Sequence, residues 1–327
     1  MVWIQFLLSS AIIVVAAIKL SQYGDIISVR TRLSGMFVGT LLLAGATSLP
    51  ELLSSVNAVY LDVPGMAAGS MFGSNMFNML MLAVLDLMFQ NARILRRVAM
   101  NHALTASLAT LLVGAAVFFV LADIDLSIGW LGVDSLMIIL IYVGGMRMIQ
   151  TQGGPPPTDL PEDDSKIPSL RRAGAGFVIA TVVLVAVVPF LVDSAARIGE
   201  ITGLSTGFIG ATLLAFVTSL PELVATTAAV RLGAYDLAIG NLFGSNFFNM
   251  LAFGLTDVLY FEGRFIGLID PSFALIGLLG LLLTSMGLIG NLLRVERRVG
   301  FLEVDALLIV LVYFAGMWFL YIRGVGI

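Results

Sequence analysis

The amino-acid sequence predicts an all-α integral membrane protein of ten transmembrane helices, arranged as two inverted repeats of five helices. Three observations support this prediction: the apolar composition, the length of the apolar segments, and a gapless internal repeat. Of the 327 residues, 59% are hydrophobic and only 12% are charged, and the mean hydropathy is +1.04. A soluble core of this length does not need so much apolar surface, so the chain is predicted to lie in a membrane.

Ten segments are long and apolar enough to cross a bilayer, which takes about 20 mostly apolar residues. They are too long for the roughly 10-residue alternating strands of an outer-membrane barrel. The predicted spans, numbered first to tenth, cover 2–24, 31–59, 66–90, 97–122, 128–150, 173–198, 206–231, 236–258, 269–293 and 301–323. The first span has no basic start and no small-residue cleavage site, which favours a retained helix over a signal peptide.

The basic residues are sorted between alternate loops. One set of loops holds 14 of the 17 lysines and arginines, and the other set keeps only Arg197, Arg264 and Arg323. Because basic loops stay in the cytoplasm, we expect both termini to lie outside the cell membrane. The lipid bilayer is the expected surrounding, nucleic acid is not an expected partner, and the chain is expected to function as a monomer.

One segment differs in composition from the rest of the chain. Residues 151–172 hold five of the ten prolines. Their acidic cluster consists of Asp159, Glu162, Asp163 and Asp164. The segment is predicted to be a semi-rigid cytoplasmic linker; a regulatory cation site is the alternative, but the acidic residues lack the spacing of a Ca²⁺ loop. The linker separates a first repeat, residues 1–150, from a second repeat, residues 173–327.

The two repeats are copies of one another. Residues 39–86 align with residues 210–257 at a constant offset of 171, and 24 of the 48 positions are identical. The shared motifs are TSLPEL, FGSN and FNML, followed by Asp86 and Asp257. An odd number of helices sends the second copy into the membrane from the opposite side. The repeat is therefore predicted to be inverted, which is the architecture of many secondary transporters.

The motif TSLPEL places a proline and a glutamate inside an apolar span, at Pro50 and Glu51 and again at Pro221 and Glu222. Proline offers no N–H to the carbonyl four residues earlier, and an open carbonyl in a membrane requires protein, water or an ion as a partner. A lone proline could be a harmless kink, but an intramembrane glutamate beside it, present twice, indicates function. Carbonyl, hydroxyl and carboxylate oxygens are hard ligands that suit Ca²⁺ or Na⁺.

A second motif in each copy follows the pattern G-x-x-x-G, which allows close helix approach. It is formed by Gly69 and Gly73 and by Gly240 and Gly244. A serine and an asparagine one helical turn apart follow it, as Ser74 and Asn78 and as Ser245 and Asn249. Each helix thus turns a hydroxyl and an amide toward one side, either as ligands or for ordinary hydrogen bonds between helices.

The stretches ATSLPEL…GSMFGSNMFN and VTSLPEL…GNLFGSNFFN resemble the paired alpha-repeats of the sodium/calcium exchanger family, within the cation/calcium antiporter superfamily. The specific likeness covers residues 39–86 and 210–257. It implies an antiporter rather than an enzyme, without a cofactor, that exchanges Ca²⁺ for Na⁺ as transported substrates. It also implies alternating access, in which the first and sixth helices slide against the other eight.

The same resemblance implies a set of cation ligands. These are the carboxylates of Glu51 and Glu222, hydroxyl or carbonyl oxygens of Thr47, Ser48, Thr218 and Ser219, backbone carbonyls of Ala44 and Ala215, and the side chains of Ser74, Ser245, Asn78 and Asn249.

Three departures from the family pattern involve four positions. Ala46 and Val217 stand where many relatives have glycine, which could stiffen the opened turn. Ser70 follows Gly69 where a Gly-Asn pair is usual, although the second copy keeps Asn241. Asn249 stands where several members carry an aspartate. With two intramembrane carboxylates rather than three, the site is not expected to depend on potassium.

The charge count bears on the counter-ion. Two carboxylates carry −2, which one Ca²⁺ neutralises, whereas three Na⁺ leave +1. Sodium exchange would then be electrogenic, at about 2.3 kcal/mol per charge per 100 mV. Two protons would also neutralise the pair, and protons are expected to compete for two neighbouring carboxylates in a low dielectric. Electroneutral H⁺/Ca²⁺ exchange is therefore the alternative to the sodium coupling that the family resemblance favours.

Two other classes of protein fit the sequence less well than an antiporter. A channel could use carboxylates and opened carbonyls, but broken helices in inverted repeats favour alternating access. An intramembrane hydrolase is disfavoured by the lack of an H-E-x-x-H motif and of any cysteine.

Asp86 and Asp257 are predicted either to line vestibules or to help end their helices. Asp134 and Asp193 are expected to be solvated, and His102 is expected to be structural.

Overall fold

The computed structural model describes residues 1–31, 44–89, 99–152, 168–292, 298–299 and 302–325, and this part of the chain is nearly all helical. The helices are α1 (Val2–Thr31), α2 (Leu49–Tyr60), α3 (Pro64–Met88), α4 (Ala99–Ala122), α5 (Val133–Gln152), α6 (Leu170–Thr202), α7 (Thr206–Thr218), α8 (Leu220–Arg231), α9 (Tyr235–Leu259), α10 (Ala274–Leu292) and α11 (Val304–Arg323). Two short 3₁₀ turns, Ile266–Leu268 and Pro271–Phe273, precede α10.

Seven helices within the described ranges are long and apolar enough to cross a membrane. They are α1, α3, α4, α5, α6, α10 and α11. The pair α7 and α8 adds an eighth span if it is counted as one broken helix. The predicted span 236–258 forms α9, while 32–43, in the predicted second span, lie outside the described residues. The membrane setting is confirmed, and the count of ten spans and their inverted arrangement stay predictions.

Two β-hairpins correct the prediction of an entirely helical chain. Strand β1 (Ser127–Ile128) pairs antiparallel with β2 (Leu131–Gly132), and β3 (Arg298–Val299) pairs with β4 (Leu302–Glu303). The fifth span was predicted to begin at 128, but helix α5 begins only after the first hairpin. Gly129, with a φ of 69°, supplies the left-handed backbone that the turn needs and that a helix cannot contain. The two hairpins lie 171 residues apart, so the repeat extends beyond the identical motifs.

Helices α1 and α6 pack against each other in antiparallel fashion along their lengths. At one end, Gln5 Nε2 donates to the carbonyl of Phe190 at 3.1 Å. At the other end, Arg30 Nε donates to the carbonyl of Pro168 at 3.2 Å. Helix α6 begins at Leu170, and most of the predicted linker, 153–167, lies outside the described residues. The pair forms a long two-helix unit beside the remaining helices.

Helix α3 lies in the centre of the molecule, where small residues allow close packing on α7. A Cβ atom at Gly69 would lie 2.3 Å from the carbonyl oxygen of Gly207, and one at Gly73 would lie 2.6 Å from Cα of Ala211. Any larger side chain at either position would collide with backbone, so the G-x-x-x-G pattern brings these two helices into contact as expected. Helix α9, the repeat partner of α3, is equally buried along its middle.

Candidate cation site

Both TSLPEL motifs break a helix at their serine, two residues before the proline. Residues 44–47 are helical, Ser48 leaves the helix with φ −90° and ψ 7°, and α2 begins at Leu49. In the second half Ser219 has φ −88° and ψ 3°, and α7 and α8 meet there at a bend of 45°. Proline lies in the first turn of each new helix, where its missing N–H costs little. The motif thus ends one helix and starts another in the middle of the protein.

Helix α7 carries a second irregularity just before this break. Residues Gly210–Leu214 form a π-helical turn. A single π turn within an α-helix is uncommon and is frequent at functional sites. It leads directly into Ala215 and Thr218, two of the predicted site residues, so the backbone here departs twice from regular helix within a few residues.

The two breaks bring the glutamates of the two halves together at a single site. Glu51 is 0% and Glu222 is 1% exposed. The hydrogen bonds cross between the halves: Ser48 Oγ donates to Glu222 Oε1 at 3.3 Å, and Ser219 Oγ donates to Glu51 Oε1 at 3.3 Å. Each motif therefore supplies a hydroxyl to the carboxylate of the other motif, which sequence spacing alone did not predict.

The helices α3 and α9 contribute a further hydroxyl to each carboxylate. Ser74 Oγ lies 3.5 Å from Glu51 Oε1, and Ser245 Oγ lies 3.5 Å from Glu222 Oε1. In each glutamate the other oxygen, Oε2, is buried without a hydrogen-bond partner. A buried carboxylate oxygen is costly to leave alone. The site is thus rich in oxygen atoms, and one oxygen of each carboxylate lacks a hydrogen-bond partner, as is typical of a cation site.

The asparagines Asn78 and Asn249 lie on the same helices, and their NH₂ groups donate to asparagines of the opposite half rather than to the glutamates. Asn78 Nδ2 donates to Asn246 Oδ1 at 2.8 Å, and Asn249 Nδ2 donates to Asn75 Oδ1 at 3.0 Å. Their own Oδ1 atoms are buried and have no partner. Fixing each NH₂ group in this way leaves each amide oxygen available as an acceptor.

Asn75 and Asn246 are functional candidates that the sequence interpretation missed. They end the motif FGSN in each copy, and Asn246 also donates from Nδ2 to the carbonyl of Asn75 at 3.3 Å. The signal was present, since both asparagines recur at the offset of 171. Their side chains hold the amide groups of the predicted ligands in place, which only the packing of α3 against α9 could reveal.

The predicted backbone ligands lie at the broken turns. The carbonyl of Ala44 accepts from Ser48 N at 2.9 Å and from Thr47 Oγ1 at 3.2 Å. The carbonyl of Ala215 accepts from Ser219 N at 3.0 Å. Thr218 Oγ1 donates to the carbonyl of Leu214 at 3.1 Å. All these groups are buried beside the glutamates, and in this arrangement both threonines use their hydroxyl protons locally.

The two carboxyl groups of the site have no positive side chain paired with them in the described part of the chain. Among the described residues, no lysine, arginine or histidine forms an ion pair with Glu51 or Glu222. The same part of the chain contains no group of three or more histidines, aspartates or glutamates. Carboxylates, hydroxyls and amide oxygens are hard ligands, so the arrangement suits Ca²⁺ or Na⁺ better than a transition metal.

Asp257 and Asp134 belong to a second polar cluster at the end of α9. Asp257 is buried and accepts from the backbone N–H groups of Gly132, at 2.8 Å, and of Phe265. Asp257 therefore holds the segment that follows α9 against the end of that helix. Asp134 was expected to be solvated, and this prediction was wrong: it is fully buried, with Arg264 Nη1 at 3.3 Å from Oδ2. The loop that carries Arg264 folds over the first turn of α5 and covers it.

The other ionisable residues lie away from the glutamates. Asp86, the repeat partner of Asp257, is also buried. Asp193 is 35% exposed and pairs with Arg197 at 3.0 Å, which fits the expected solvated position. His102 packs on Gly240, where a Cβ atom would lie 2.8 Å from the imidazole ring, and its Nε2 lies 3.6 Å from Asp236. These contacts agree with a structural role for His102.

Comparison with known proteins identifies the family to which this chain belongs. The family model described as sodium/calcium exchanger protein matches residues 1–148 and 173–322, and it omits the predicted linker. The chain belongs to the sodium/calcium exchanger protein family. The protein CaxA of Alkalimonas amylolytica is 30% identical over 285 residues, which span 82% of this chain and 84% of CaxA. The inner membrane protein YrbG of Escherichia coli is 27% identical over 222 residues, 66% of each chain.

Solved structures of exchangers share the fold at low sequence identity. The sodium-calcium exchanger NCX_Mj superposes with a TM-score of 0.62 at 21% identity, and the match covers 97% of this chain and 99% of that one. The H⁺/Ca²⁺ exchanger CAX superposes with a TM-score of 0.67 at 14% identity, covering 99% and 89%. This likeness shows the fold, which a sodium-calcium exchanger and an H⁺/Ca²⁺ exchanger both have.

Proposed function

We propose that this protein is a secondary active antiporter that exchanges Ca²⁺ for Na⁺ across the cell membrane and that one cation site serves both ions in turn. The observation that carries the proposal is the pair of buried glutamates, Glu51 and Glu222, which are bonded reciprocally by Ser219 and Ser48. Each half of the chain contributes a carboxylate and a hydroxyl to the other half's carboxylate. A site of this kind exists only when both halves are present, as expected for a site between repeats.

The charge of the site supports Ca²⁺ as one substrate. The two carboxylates of Glu51 and Glu222 are buried, and burying unpaired charge is very costly. One Ca²⁺ would neutralise the pair, and the surrounding hydroxyl and amide oxygens would complete the six to eight ligands that Ca²⁺ takes. The predicted ligands Ser74, Asn78 and their repeat partners would supply these neutral oxygens.

The abundance of neutral oxygens supports Na⁺ rather than H⁺ as the counter-ion. A proton needs only one carboxylate oxygen, whereas Na⁺ needs a shell of oxygen ligands. Four serine hydroxyls converge on the two glutamates, and the Oδ1 atoms of Asn78 and Asn249 are free to accept. Three Na⁺ would leave the site at +1, so sodium-coupled exchange would move charge across the membrane, worth about 2.3 kcal/mol per charge per 100 mV.

The packing of the helices supports alternating access as the mechanism. Helices α1 and α6 pair with each other along their lengths, whereas the site residues lie on α2, α3, α7, α8 and α9. Sliding of the α1–α6 pair past a site held by the other helices would open it first to one face and then to the other. By the distribution of basic residues, both termini and the turn 61–63 face the outside.

Uptake of ⁴⁵Ca²⁺ into proteoliposomes tests this proposal. Vesicles preloaded with Na⁺ are compared with vesicles that carry an outward H⁺ gradient, each with and without a positive-inside potential set by K⁺ and valinomycin. We expect uptake driven by Na⁺ and accelerated by the positive interior. Glu51→Gln and Glu222→Gln should lose this uptake, and their matched control is Ser107→Ala, which removes an exposed hydroxyl on α4. Flux that needs no counter-gradient would refute the antiporter.

Proton coupling is the second candidate, because two protons would also neutralise Glu51 and Glu222. The fold that this chain shares with the H⁺/Ca²⁺ exchanger CAX supports this candidate. In the same assay, uptake driven only by the H⁺ gradient and insensitive to membrane potential would replace sodium with protons. The assignment of Ca²⁺ to the glutamate site would survive that outcome.

A further inference from the structure

Polar side chains continue one helical turn beyond the glutamates, toward the ends of the helices that carry them. The first half has three serines there, and the equivalent positions of the second half, at the offset of 171, differ from them. The positions are Ser54, Ser55 and Ser70 in the first half and Ala225, Thr226 and Asn241 in the second half. All five polar residues are at most 3% exposed.

In the second half these positions are closed by a hydrogen bond. Asn241 Nδ2 on α9 donates to Thr226 Oγ1 on α8 at 3.0 Å. The bond joins the two helices one turn away from Glu222 and Ser245. At the third position Ala225 offers no polar atom. Asn241 Oδ1 is buried without a hydrogen-bond partner, so the second half differs from the first in the bond that joins its two helices and not in having every polar atom paired.

In the first half no hydrogen bond joins the side chains at the equivalent positions. Ser55 Oγ donates to the carbonyl of Ala67 at 3.4 Å, so it does not bond to Ser70. The hydroxyls of Ser54 and Ser70 are buried and have no hydrogen-bond partner. The serine side chain is one bond shorter than that of asparagine, so Ser70 cannot make the link that Asn241 makes. Burying a hydroxyl without a partner is unfavourable, and such a group requires a reason.

We propose that Ser54, Ser55 and Ser70 form a transit site for Na⁺ between Glu51 and the membrane face reached by the turn 61–63. This proposal rests on the proposed function. The three hydroxyls are neutral oxygen ligands, so they replace part of the hydration shell of a monovalent cation without holding it tightly. Conduction to a deep site requires such weak intermediate binding. The basic loops predict that this face is the outer one. Toward the opposite face, the Asn241–Thr226 bond crosses the equivalent positions, so we expect no equivalent transit site there.

A reciprocal exchange of the two residues tests this asymmetry. In Ser70→Asn the amide reaches Ser55 and closes the site as in the second half, and Asn241→Ser opens the second half. We expect Ser70→Asn to slow Na⁺-driven exchange about two- to tenfold and to raise the half-saturating Na⁺ at the outer face, as a new hydrogen bond across the path would do. Asn241→Ser should leave the outer half-saturation unchanged. Equilibrium Ca²⁺ affinity should be unaltered in both variants, because no glutamate ligand changes.

Cysteine accessibility tests the same site without relying on transport. The chain contains no cysteine, so Ser70→Cys introduces a single thiol for a positively charged, membrane-impermeant methanethiosulfonate reagent. We expect labelling from the outer face only, slowed by Na⁺. Ser194→Cys is the buried control, since Ser194 Oγ donates to the carbonyl of Leu191 at 2.9 Å, and it should not react.

The outcomes separate this proposal from the proposed function. Ser70→Cys that reacts from neither face or from the inner face, or labelling that Na⁺ does not slow, overturns the transit site even if the unaltered protein exchanges Ca²⁺ for Na⁺. Absent Ca²⁺ exchange by the unaltered protein overturns the proposed function, while outer labelling slowed by Na⁺ still supports cation entry past Ser70. Unchanged kinetics in Ser70→Asn also contradict the transit site.

Discussion

Around the glutamates, the bonds from serine hydroxyls to the carboxylates are the same in the first half of the chain and in the second half, whereas one helical turn away the two halves differ. Ser48 and Ser219 each donate to the carboxylate of the opposite half at 3.3 Å. One turn away, Asn241 bonds to Thr226 in the second half, and Ser70 has no partner in the first. The shared site restrains both copies, because each serves the other's carboxylate. Positions that face only one side of the membrane are free to diverge.

The largest expected effect comes from removing either carboxylate. Glu51→Gln and Glu222→Gln each delete one of the two charges that would balance Ca²⁺, so we expect each to reduce Ca²⁺ exchange by about 100-fold or more. The measurement is ⁴⁵Ca²⁺ uptake into proteoliposomes, with Ser107→Ala as the control. Because the halves are equivalent here, the two variants should lose activity alike. A variant that keeps full activity would show that its half contributes no charge to the site.

The next largest effect is expected at the end of α9, where Asp257 is expected to have a structural role. Asp257→Asn replaces an acceptor of two backbone N–H groups with an amide whose NH₂ must face one of them. We expect a loss of about 2–3 kcal/mol of stability, or a fall in melting temperature of roughly 3–4 °C in detergent. Asp270→Asn, which removes charge from an exposed acceptor of Ser272 N, should lower it far less. Equal melting temperatures for the two variants would contradict the fastening role of Asp257.

A smaller and symmetrical effect is expected from the hydroxyls that cross between the halves. Ser48→Ala and Ser219→Ala each remove one neutral oxygen and one hydrogen bond from the opposite carboxylate. Each should weaken Ca²⁺ binding about three- to tenfold, as measured by titration of the purified protein. The two values should agree within about a factor of two, the usual scatter of such contributions. A large loss in one variant and none in the other would break the equivalence of the halves.

The smallest effect is expected from the asparagines behind the predicted ligands. Asn75→Ala releases the NH₂ group of Asn249, and Asn246→Ala releases that of Asn78. Their amide oxygens would then lose their fixed orientation, and Ca²⁺ affinity should fall about two- to fivefold. If Asn78 and Asn249 serve only to join helices, the melting temperature will fall while the affinity stays unchanged. That result would remove both asparagines from the ligand set.

Much of this site could be predicted from the sequence, because its signals are local and repeated. A proline and a glutamate within an apolar span are improbable without function, and the repeat marked Glu51 and Glu222 as equivalent. The bonds from Ser48 to Glu222 and from Ser219 to Glu51 could not be predicted, since they join residues 174 and 168 positions apart. Such pairs depend on how two broken helices pack, which no spacing rule records.

The errors of the sequence interpretation have the same origin. Asp134 was expected to be solvated because it lies near a helix end, but the loop carrying Arg264 covers it. The fifth span was expected to start at 128 because the segment is apolar, but the turn at Gly129 makes a hairpin first. Both outcomes depend on segments between spans, where hydropathy carries little information and tertiary contacts decide.

Calorimetric titration of Ca²⁺ into the purified protein and its two glutamate variants tests whether Glu51 and Glu222 bind one shared cation. If Glu51 and Glu222 share one cation, the unaltered protein binds Ca²⁺ at a single high-affinity site, and Glu51→Gln and Glu222→Gln each abolish that site. Thermal unfolding of the variants would show that both remain folded. If either variant keeps a high-affinity site, the two carboxylates bind Ca²⁺ separately, and the account of one site shared between the halves is wrong.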